Sequence, residues 1–577
     1  MQNTTLSKTG LKHRYSASFP DPPLLFAILG TSFIFLWAYL PAFINPYIIN
    51  GDVRQQLFWM QRWCQPGIYP EDLLSSYARI YVPWGVQGLY YAASFFCSPL
   101  YFSNILTGVL YVLTGSLIFL SGNRIGDYRL GLAALCIYWV SPFFLHSMAG
   151  GLARGFAAPL LMLYFYGWLC RSRIILGLAL LLQSLFIPYI FILCTGASGL
   201  GWLGWLIGLN SRPSFLTRIS DFIFIGGCFS LLLLWHMQMS KAGFGPLPTY
   251  AEMLDNPVYT AQGRFPIIPV PSIFYELFTR PWEKLIPFKD MSNFAAANAL
   301  IAIAAAALLG AKSAQWKKWH PHLTAIICIL FSSVLLSLLA KLILLKLFVP
   351  SRYLEYSTAL GYCFLLAICL HGIMRQWHKA RKWITSILVG IFFVVGIMRT
   401  ELLGLYDYSP EAALYETVLR EIPRHAVIAG NPYLMDNVLT FGQRNVLASY
   451  ELAHPWNTGY WKQFAPRLQD MLKAYYSGNI VEVIDFCLKY GVEYMVVDRR
   501  DFSKASLSGK PMFAPYDSQI KEQVKGISTF ALLSEDLKRI VINKNISIVP
   551  FPVFDSLGTI EFRSGLLDDY SRMPLEQ

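Results

Sequence analysis

Charged residues are scarce in this sequence. Asp, Glu, Lys and Arg make up only 14% of its 577 residues, whereas a soluble domain contains about 25%. Hydrophobic residues account for 55% of the chain, and its mean hydropathy is +0.44. This composition excludes a soluble globular protein, and the long apolar runs indicate a polytopic α-helical membrane protein.

Acidic residues are scarcest in the first 400 positions, so the positive charge is concentrated there. These positions hold 29 of the 47 Lys and Arg but only 12 of the 34 Asp and Glu. A net charge of +13 can indicate a nucleic-acid partner. Here the basic residues stand between apolar runs, so they report membrane orientation, and we expect no nucleic-acid binding.

Three further features are missing. The ten cysteines form no CxxC pair and no metal-ligand spacing with the nine histidines, and most, such as Cys136 and Cys328, stand in apolar runs as packing residues. The first apolar run is too long for a signal-peptide core and no small-residue cleavage site follows it, so we expect no cleaved signal peptide. We find no internal repeat and no low-complexity tract.

Eleven apolar runs are predicted to be membrane-spanning helices. Pro188 interrupts one long apolar stretch, which predicts a tight hairpin between the fifth and sixth spans. The predicted spans are Leu24–Leu40, Ser103–Leu120, Leu130–Leu145, Phe156–Leu169, Ile174–Phe186, Pro188–Leu209, Phe222–Trp235, Phe294–Leu309, Leu323–Leu339, Tyr356–Ile373 and Trp383–Met398.

Basic residues predict which side each loop occupies. The N-terminal tail and every second loop contain 16 Lys and Arg with few acids, so by the positive-inside rule they are cytoplasmic. The long first loop (45–102) and second loop (239–292) have balanced charges and are predicted to be extracytoplasmic. An odd number of spans then places the C-terminal region outside as well.

The composition changes to that of a soluble domain near Thr400. Residues 1–400 are therefore predicted to form the membrane domain, and residues 401–577 an extracytoplasmic α/β domain. His425–Pro432 and Tyr494–Phe502 read as short buried strands, and Phe464–Gly478 reads as an amphipathic helix closed by glycine. This domain either covers the active site or binds an acceptor.

An aspartate follows the first span within the stretch NPYIINGDVRQQLFWMQRW (45–63). Val53, Leu57, Met60 and Cys64 repeat at helical spacing, which predicts a helix on the outer membrane surface with Trp59 and Trp63 at headgroup level. Asp52 stands at the start of this helix. It is either an N-cap, which aspartate favours, or a carboxylate held in place for chemistry, and the two interpretations are compatible.

Several cations are predicted to lie on the same outer face. Arg154 stands in GGLARGFAAP and Arg352 in LFVPSRYLEY, beside turns between apolar spans where positive charge is unexpected, and an arginine fork suits phosphate. Arg264 stands in the second loop. Lys341 and Lys346 fit membrane headgroup contacts better than ligand binding, although Lys346 stays a candidate phosphate ligand.

An acid and several cations at one membrane surface suit transfer of a sugar from a polyprenyl-phosphate-linked donor. Arginine and lysine would hold the phosphate and stabilise its charge as it leaves. Asp52 would act as general base on an acceptor in a glycan, a lipid or a protein. Candidate acceptor- or sugar-binding residues are Glu71, Asp72, Tyr81, Trp456 and Trp461.

The layout resembles the GT-C superfamily of integral-membrane glycosyltransferases, which includes protein mannosyltransferases, aminoarabinose transferase and the oligosaccharyltransferase catalytic subunit. The likeness rests on the acid in the first loop (NGDVRQQLFWMQRW), many short spans, a large later loop and a C-terminal domain. It implies that Asp52 is the catalytic or acceptor-orienting carboxylate and that Arg264 and Arg352 face the lipid phosphate.

The sequence departs from that pattern at two points. Val53 follows Asp52, so the second adjacent acid of many members is missing. The WWDYG signature of the oligosaccharyltransferases is also absent, which argues against protein N-glycosylation and favours transfer of a single sugar.

Other functions and ligands remain open. A lipid or polysaccharide flippase usually places charges at mid-membrane, whereas the spans here are nearly free of charge. A non-catalytic assembly protein with the same fold is a third possibility. Five acids, Asp52, Glu71, Asp72, Glu252 and Asp255, offer a divalent-cation site, but we predict no metal and no other cofactor. The predicted location is the bacterial inner membrane, in cell-envelope glycan biosynthesis.

Overall fold

A computed structural model describes residues 22–208, 213, 215–267, 270–285, 298, 313–343, 349–376, 381–551, 553–554 and 560–561. Helices dominate this part of the chain. Up to residue 400 they are α1 (Pro22–Ile44), α2 (Val53–Gln56), α3 (Leu73–Tyr81), α4 (Trp84–Ala93), α5 (Pro99–Ile125), α6 (Tyr128–Val140), α7 (Pro142–Met148), α8 (Ala157–Leu169), α9 (Arg173–Phe186), α10 (Pro188–Leu206), α11 (Ile219–Lys241), α12 (Tyr250–Leu254), α13 (Arg280–Leu285), α14 (Ser313–Leu342), α15 (Pro350–Gln376) and α16 (Arg381–Thr400).

The helices after residue 400 are shorter. They are α17 (Ala412–Glu421), α18 (Pro432–Phe441), α19 (Thr458–Tyr475), α20 (Ile480–Tyr490), α21 (Lys504–Ser508) and α22 (Tyr516–Gln523). Short 3-10 or π turns occur at Phe58–Trp63, Ala153–Phe156, Pro257–Tyr259, Tyr275–Thr279, Ser409–Glu411, Arg499–Phe502 and Ala531–Leu533.

The protein is an integral membrane protein. Six helices in the described residues, α1, α5, α10, α11, α14 and α15, are long and apolar enough to cross a bilayer, and the bent pair α6–α7 would make seven. Two shorter apolar helices are Arg173–Phe186 and Thr385–Thr400. The predicted span Phe294–Leu309 lies, apart from Asn298, outside the described residues, so the count of eleven is not established.

Proline decides where two apolar stretches break. The predicted span Leu130–Leu145 is two helices, α6 and α7, which meet at an angle of 68°. The reason is Pro142, because the residue before a proline avoids the helical region, and Ser141 is extended at φ −81°, ψ 111°. The break predicted at Pro188 is confirmed, with Ile187 between α9 and α10.

Close approach of glycines packs the first helices together. Helix α5 packs against α1, α6 and α8. A methyl group at Gly108 would collide with the ring of Phe35 on α1, and one at Gly122 would lie 2.7 Å from the Cα of Gly131 on α6. Small residues at such crossings replace the hydrophobic driving force that is weak between helices in lipid.

A five-stranded sheet forms the core of the C-terminal region, with the strand order β4-β3-β5-β7-β6. Strand β3 is parallel to β4 and β5, whereas β7 is antiparallel to β5 and β6. The predicted strands at His425–Pro432 and Tyr494–Phe502 are confirmed as β3 and β5. The strands are β1 (Ile48–Ile49), β2 (Tyr406–Asp407), β3 (Val427–Gly430), β4 (Asn445–Val446), β5 (Tyr494–Asp498), β6 (Ile540–Val541), β7 (Ile546–Pro550), β8 (Val553–Phe554) and β9 (Ile560–Glu561).

The C-terminal region packs directly on the first loop. Strand β1 pairs antiparallel with β2, so that Ile48 faces Asp407. Gln61 Nε2 donates to the carbonyl of Thr440 at 2.9 Å, and the Tyr69 hydroxyl donates to the carbonyl of Leu439 at 2.6 Å. These bonds hold the segment that carries Asp52 between the membrane helices and α18.

Candidate active site

Asp52 does not cap the helix that it precedes. Its backbone is already helical at φ −71°, ψ −11°, and its side chain makes no capping hydrogen bond. A capping side chain needs an extended backbone to reach the free N–H groups of the first turn. Asp52 therefore stands at the N-cap position, as predicted, but its side chain does not cap the helix. The Asp52 N–H instead donates to Asn50 Oδ1 at 3.2 Å, and the carboxylate is left for another partner.

That partner is Arg154, 102 residues along the chain. Its guanidinium forms an ion pair with the Asp52 carboxylate and donates to Asn50 Oδ1 at 3.2 Å. Gly150 at φ +85° and Gly151 at φ +59° make the turn that brings Arg154 here, and a methyl group at Gly150 would lie 2.9 Å from Val53. The Asp52 and Arg154 side chains are 33% and 27% exposed, so a solute can reach the pair.

Arg352 begins a second group of charges at the start of α15. It donates to Glu355 at 2.8 Å, and the second oxygen of Glu355 lies 3.2 Å from Lys284 Nζ. Burial lowers the pKa of Lys284 to about 8, although Glu355 opposes the shift. Arg352 keeps 37% of its side chain exposed. One turn further on, the Tyr356 hydroxyl donates to the carbonyl of Arg154 at 3.4 Å and joins the two groups.

Tyr81 is influenced by charges of both groups. It ends α3, and its ring lies 5.5 Å from that of His454. Burial raises the pKa of the Tyr81 hydroxyl, Asp52 raises it further, and Arg352 and Arg154 lower it. The phenol therefore lies within electrostatic reach of the Asp52 carboxylate and of two guanidinium groups.

Arg264, a predicted phosphate ligand, is bound by the protein. It donates to Glu451 at 2.8 Å and stacks 3.9 Å from the ring centre of Tyr450. Phosphate binding by Arg264 would require these contacts to open, so this role stays a prediction.

Glu451 is the centre of a buried network that joins three segments. Arg54 of α2 lies 3.4 Å from Glu451 and 3.8 Å from Asp436 of α18, while Arg264 approaches Glu451 from the second loop. Burial raises the pKa of Glu451, the Asp436 and Asp52 carboxylates add to the shift, and Arg264 and Arg54 oppose it. The C-terminal region thus places a second carboxylate in the electrostatic surroundings of Asp52.

The first-loop acids lie at the far end of α3. Asp72 caps this helix by accepting from the Ser75 N–H at 2.8 Å, and the exposed Glu71 pairs with Arg79 at 3.4 Å. Tyr81 ends the same nine-residue helix, so about 13 Å of helix separates it from the cap. Their acceptor-binding roles stay predictions.

The candidate sugar-stacking tryptophans lie at different places. The Trp456 ring packs 4.5 Å from that of Phe265, next to Arg264, whereas Trp461 stacks on Phe464 within α19. Lys346 lies outside the described residues.

The predicted surface helix after Asp52 is also different in the structure. It is a single α-turn followed by the 3-10 helix Phe58–Trp63, and Trp59 is only 1% exposed. Trp59 is therefore a core residue and does not contact membrane headgroups. The segment Phe58–Trp63 packs against α3, α4 and α5, which accounts for its apolar side chains, whereas the C-terminal region contacts it through Gln61.

No group of three or more His, Cys, Asp or Glu in the described part of the chain is arranged to hold a metal ion. The candidate site consists instead of paired acids and cations.

Sequence reasoning missed several residues of this site. Glu355 and Tyr356 lie three and four positions after Arg352, so helical spacing alone could have placed them beside it. Asn50, Lys284 and Glu451 carry no local signal, because their contacts depend on how distant segments pack.

Solved structures with a similar fold belong to two kinds of transferase. An oligosaccharyltransferase from Archaeoglobus fulgidus, in complex with Zn and sulfate, has a TM-score of 0.53 and 11% identity over 87% of this chain and 70% of that one. AglB from the same organism, in complex with an inhibitory peptide and a dolichol-phosphate, has a TM-score of 0.51 and 11% identity. The match covers 96% of this chain and 74% of AglB. ArnT from Cupriavidus metallidurans has a TM-score of 0.50 and 10% identity, and the match covers 91% of this chain and 97% of ArnT.

No family model matches the chain, and no curated protein matches it by sequence. The structural neighbours are GT-C glycosyltransferases, which confirms the resemblance inferred from the loop and span layout. At identities of 10–11% the likeness concerns the fold and leaves the substrate open. The chain has the fold of the GT-C glycosyltransferases.

Proposed function

We propose that the protein is a glycosyltransferase that moves a sugar from a polyprenyl-phosphate-linked donor to an acceptor on the extracytoplasmic side. One observation carries the proposal: the partly exposed Asp52–Arg154 pair is linked through the hydrogen bond from Tyr356 to Arg154 to the start of α15, which carries Arg352. The fold shared with AglB, which was solved with a dolichol-phosphate, supports it.

The charges suit the reaction in a simple way. Arg352 and Arg154 would bind the donor phosphate. As the acceptor oxygen or nitrogen attacks the anomeric carbon, its proton would pass to Asp52 and the bond between that carbon and the phosphate oxygen would break. The leaving polyprenyl phosphate gains negative charge, which prearranged guanidinium groups stabilise.

The Asp52–Arg154 pair also suggests an order of events. In the structure Arg154 holds the Asp52 carboxylate in position. An incoming phosphate offers Arg154 a more highly charged partner, which would weaken the pair and leave Asp52 to accept a proton. The donor would therefore bind before the acceptor is activated.

The acceptor is the least defined substrate. Tyr81, whose hydroxyl is influenced by Asp52, would donate a hydrogen bond to the acceptor, and the Trp456 ring packed on Phe265 beside Arg264 would stack on a sugar. A glycan, a lipid or a protein in the cell envelope would each satisfy these contacts.

Release of polyprenyl phosphate tests the proposal. Full-length protein in liposomes is given polyprenyl-phosphate sugars labelled in the sugar, together with envelope extract as the acceptor source. We expect polyprenyl phosphate and a labelled product from the wild type and from Arg79→Ala, whose exposed pair with Glu71 is a matched control. Asp52→Asn should form both at least about a hundredfold more slowly.

Two results would contradict the proposal. Movement of intact donor between leaflets without release would indicate a flippase. A non-catalytic protein would bind the donor equally well as wild type and as Asp52→Asn, and it would neither release polyprenyl phosphate nor move the donor between leaflets.

A further inference from the structure

Two of the ten cysteines share the first loop. Cys64 and Cys97 both lie within residues 45–102, and the second loop contains no cysteine. In the structure Cys64 is exposed and Cys97 is partly exposed, whereas Cys136, Cys194 and Cys363 are buried in the helix bundle. A packing role explains the buried cysteines but does not explain this pair.

The structure brings Cys64 and Cys97 to the same short turn. Cys64 follows the 3-10 helix Phe58–Trp63, and its Sγ lies 3.6 Å from the carbonyl oxygen of Ser94 and 4.0 Å from that of Cys97. The Cys97 Sγ lies 3.9 Å from the carbonyl oxygen of Ala93, within that turn. Both sulfur atoms therefore contact one turn of backbone, although 33 residues separate them in the chain.

Ring packing independently brings the two segments together. The Trp63 ring, next to Cys64, lies edge-on 5.4 Å from the ring of Tyr91 on α4, and Tyr91 packs on Phe95. The pairing of Cys64 with the turn after α4 is thus part of a wider contact.

The electrostatics of the two thiols agree with this geometry. Burial raises the pKa of both, and the Cys64 thiol raises the pKa of Cys97 further, which requires the sulfur atoms to be close.

We propose that Cys64 and Cys97 form a disulfide bond that closes the first loop. The two thiols lose two protons and two electrons as the S–S bond forms, and a disulfide-bearing oxidant of the extracytoplasmic space accepts the electrons by thiol–disulfide exchange. Such bonds persist only in an oxidising compartment, so the inference rests on the predicted outer location of this loop and not on the proposed reaction.

The bond would restrain the segment that carries the site. It would join the end of the Asp52-bearing segment to the turn after α4 and so enclose α3, which ends at Tyr81. Closing a loop of this size reduces the freedom of the unfolded chain more than that of the folded one.

Differential alkylation tests the inference. Cells that express the full chain are denatured in excess N-ethylmaleimide, and the protein is then reduced, labelled with a heavier maleimide and digested for mass spectrometry. We expect Cys64 and Cys97 to carry the heavy label and the unreduced digest to contain their linked peptides. Cys170, on the predicted cytoplasmic side, should carry the light label. In Cys64→Ser, Cys97 should change to the light label.

Thermal unfolding provides a second readout that needs no activity. Cys64→Ser, Cys97→Ser and the double variant should lower the melting temperature by the same amount, since each removes the same bond. Three results would overturn the proposal. Both cysteines of the wild type could carry the light label, or either could be linked to another cysteine. The decreases in melting temperature of the two single variants could also add up in the double variant.

Discussion

At the scale of single residues, a substitution of Asp52 can test catalysis without a large effect on stability, because its ion pair with Arg154 contributes little to folding. Both side chains are partly exposed, and such an ion pair contributes only about 0–1 kcal/mol to folding. Asp52→Asn should therefore fold and insert normally. Asn cannot accept a proton, and positioned acid–base catalysis contributes about 10²–10⁴ in rate, so turnover should fall at least about a hundredfold.

The measurement is single-turnover release of polyprenyl phosphate, with donor binding and melting temperature determined on the same preparation. Donor binding that persists while release is lost supports the base role. Normal turnover in Asp52→Asn would remove Asp52 from the chemistry.

Arg352 is the second residue that a substitution can test. A charge-assisted hydrogen bond contributes about 1.5–3 kcal/mol, so Arg352→Ala should weaken donor binding about ten- to a hundredfold. Arg352→Lys should recover part of the loss, because it keeps the charge but not the fork. Glu355 keeps Lys284 as a partner in both variants, which limits the effect on folding.

Donor affinity is measured by titration with a labelled polyprenyl-phosphate sugar. Arg79→Ala, which removes an exposed arginine and its ion pair, is the matched control and should bind as the wild type does. Equal affinity in all four proteins would show that Arg352 does not contact the donor.

At the scale of elements, Glu451 connects α2, α18 and the second loop. Because its pKa is raised in the folded protein, the folded state holds more protons than the unfolded state between the ordinary and the raised pKa values. Stability then falls as pH rises through that window. The melting temperature should decrease from pH 5 towards neutral pH, and this slope should be smaller in Glu451→Gln.

Melting temperatures of purified full-length variants at several pH values give the slope. Glu71→Gln is the control, because that acid is exposed and should leave the slope unchanged. The same slope in Glu451→Gln and the wild type would show that ionisation of Glu451 does not control how these elements pack.

At the scale of the whole molecule, the structure constrains the topology. Strand β1 of the first loop pairs with β2, and Arg54 contacts Asp436 and Glu451, so the first loop and the C-terminal region lie on the same side of the membrane. The charge pattern predicts that this side is extracytoplasmic. A reporter active only in the cytoplasm should therefore be silent when fused after Gln577 and when inserted after Gly67.

Reporter activity at only one of the two fusion positions would contradict the contact between the first loop and the C-terminal region. Reporter activity at both positions would agree with the structure but would show that the predicted orientation in the membrane is reversed.

The sequence by itself determined the features that depend on neighbouring residues. Apolar runs placed the main membrane helices, Pro188 placed a helix break, and two short apolar segments placed β3 and β5. These signals are local, because a proline or a hydrophobic period acts within a few residues of its own position. Asp52 and Arg352 could be singled out because they stand next to such runs.

Only the tertiary structure decided what the candidate site is made of. Asp52 meets Arg154 across 102 residues, and Arg54 meets Glu451 across 397. Ser141 and Pro142 divide one predicted span, and Trp59 is buried because the segment Phe58–Trp63 packs against α3, α4 and α5. Such partners are selected by the packing of whole elements, and charge pairs of this kind leave no pattern in the local sequence.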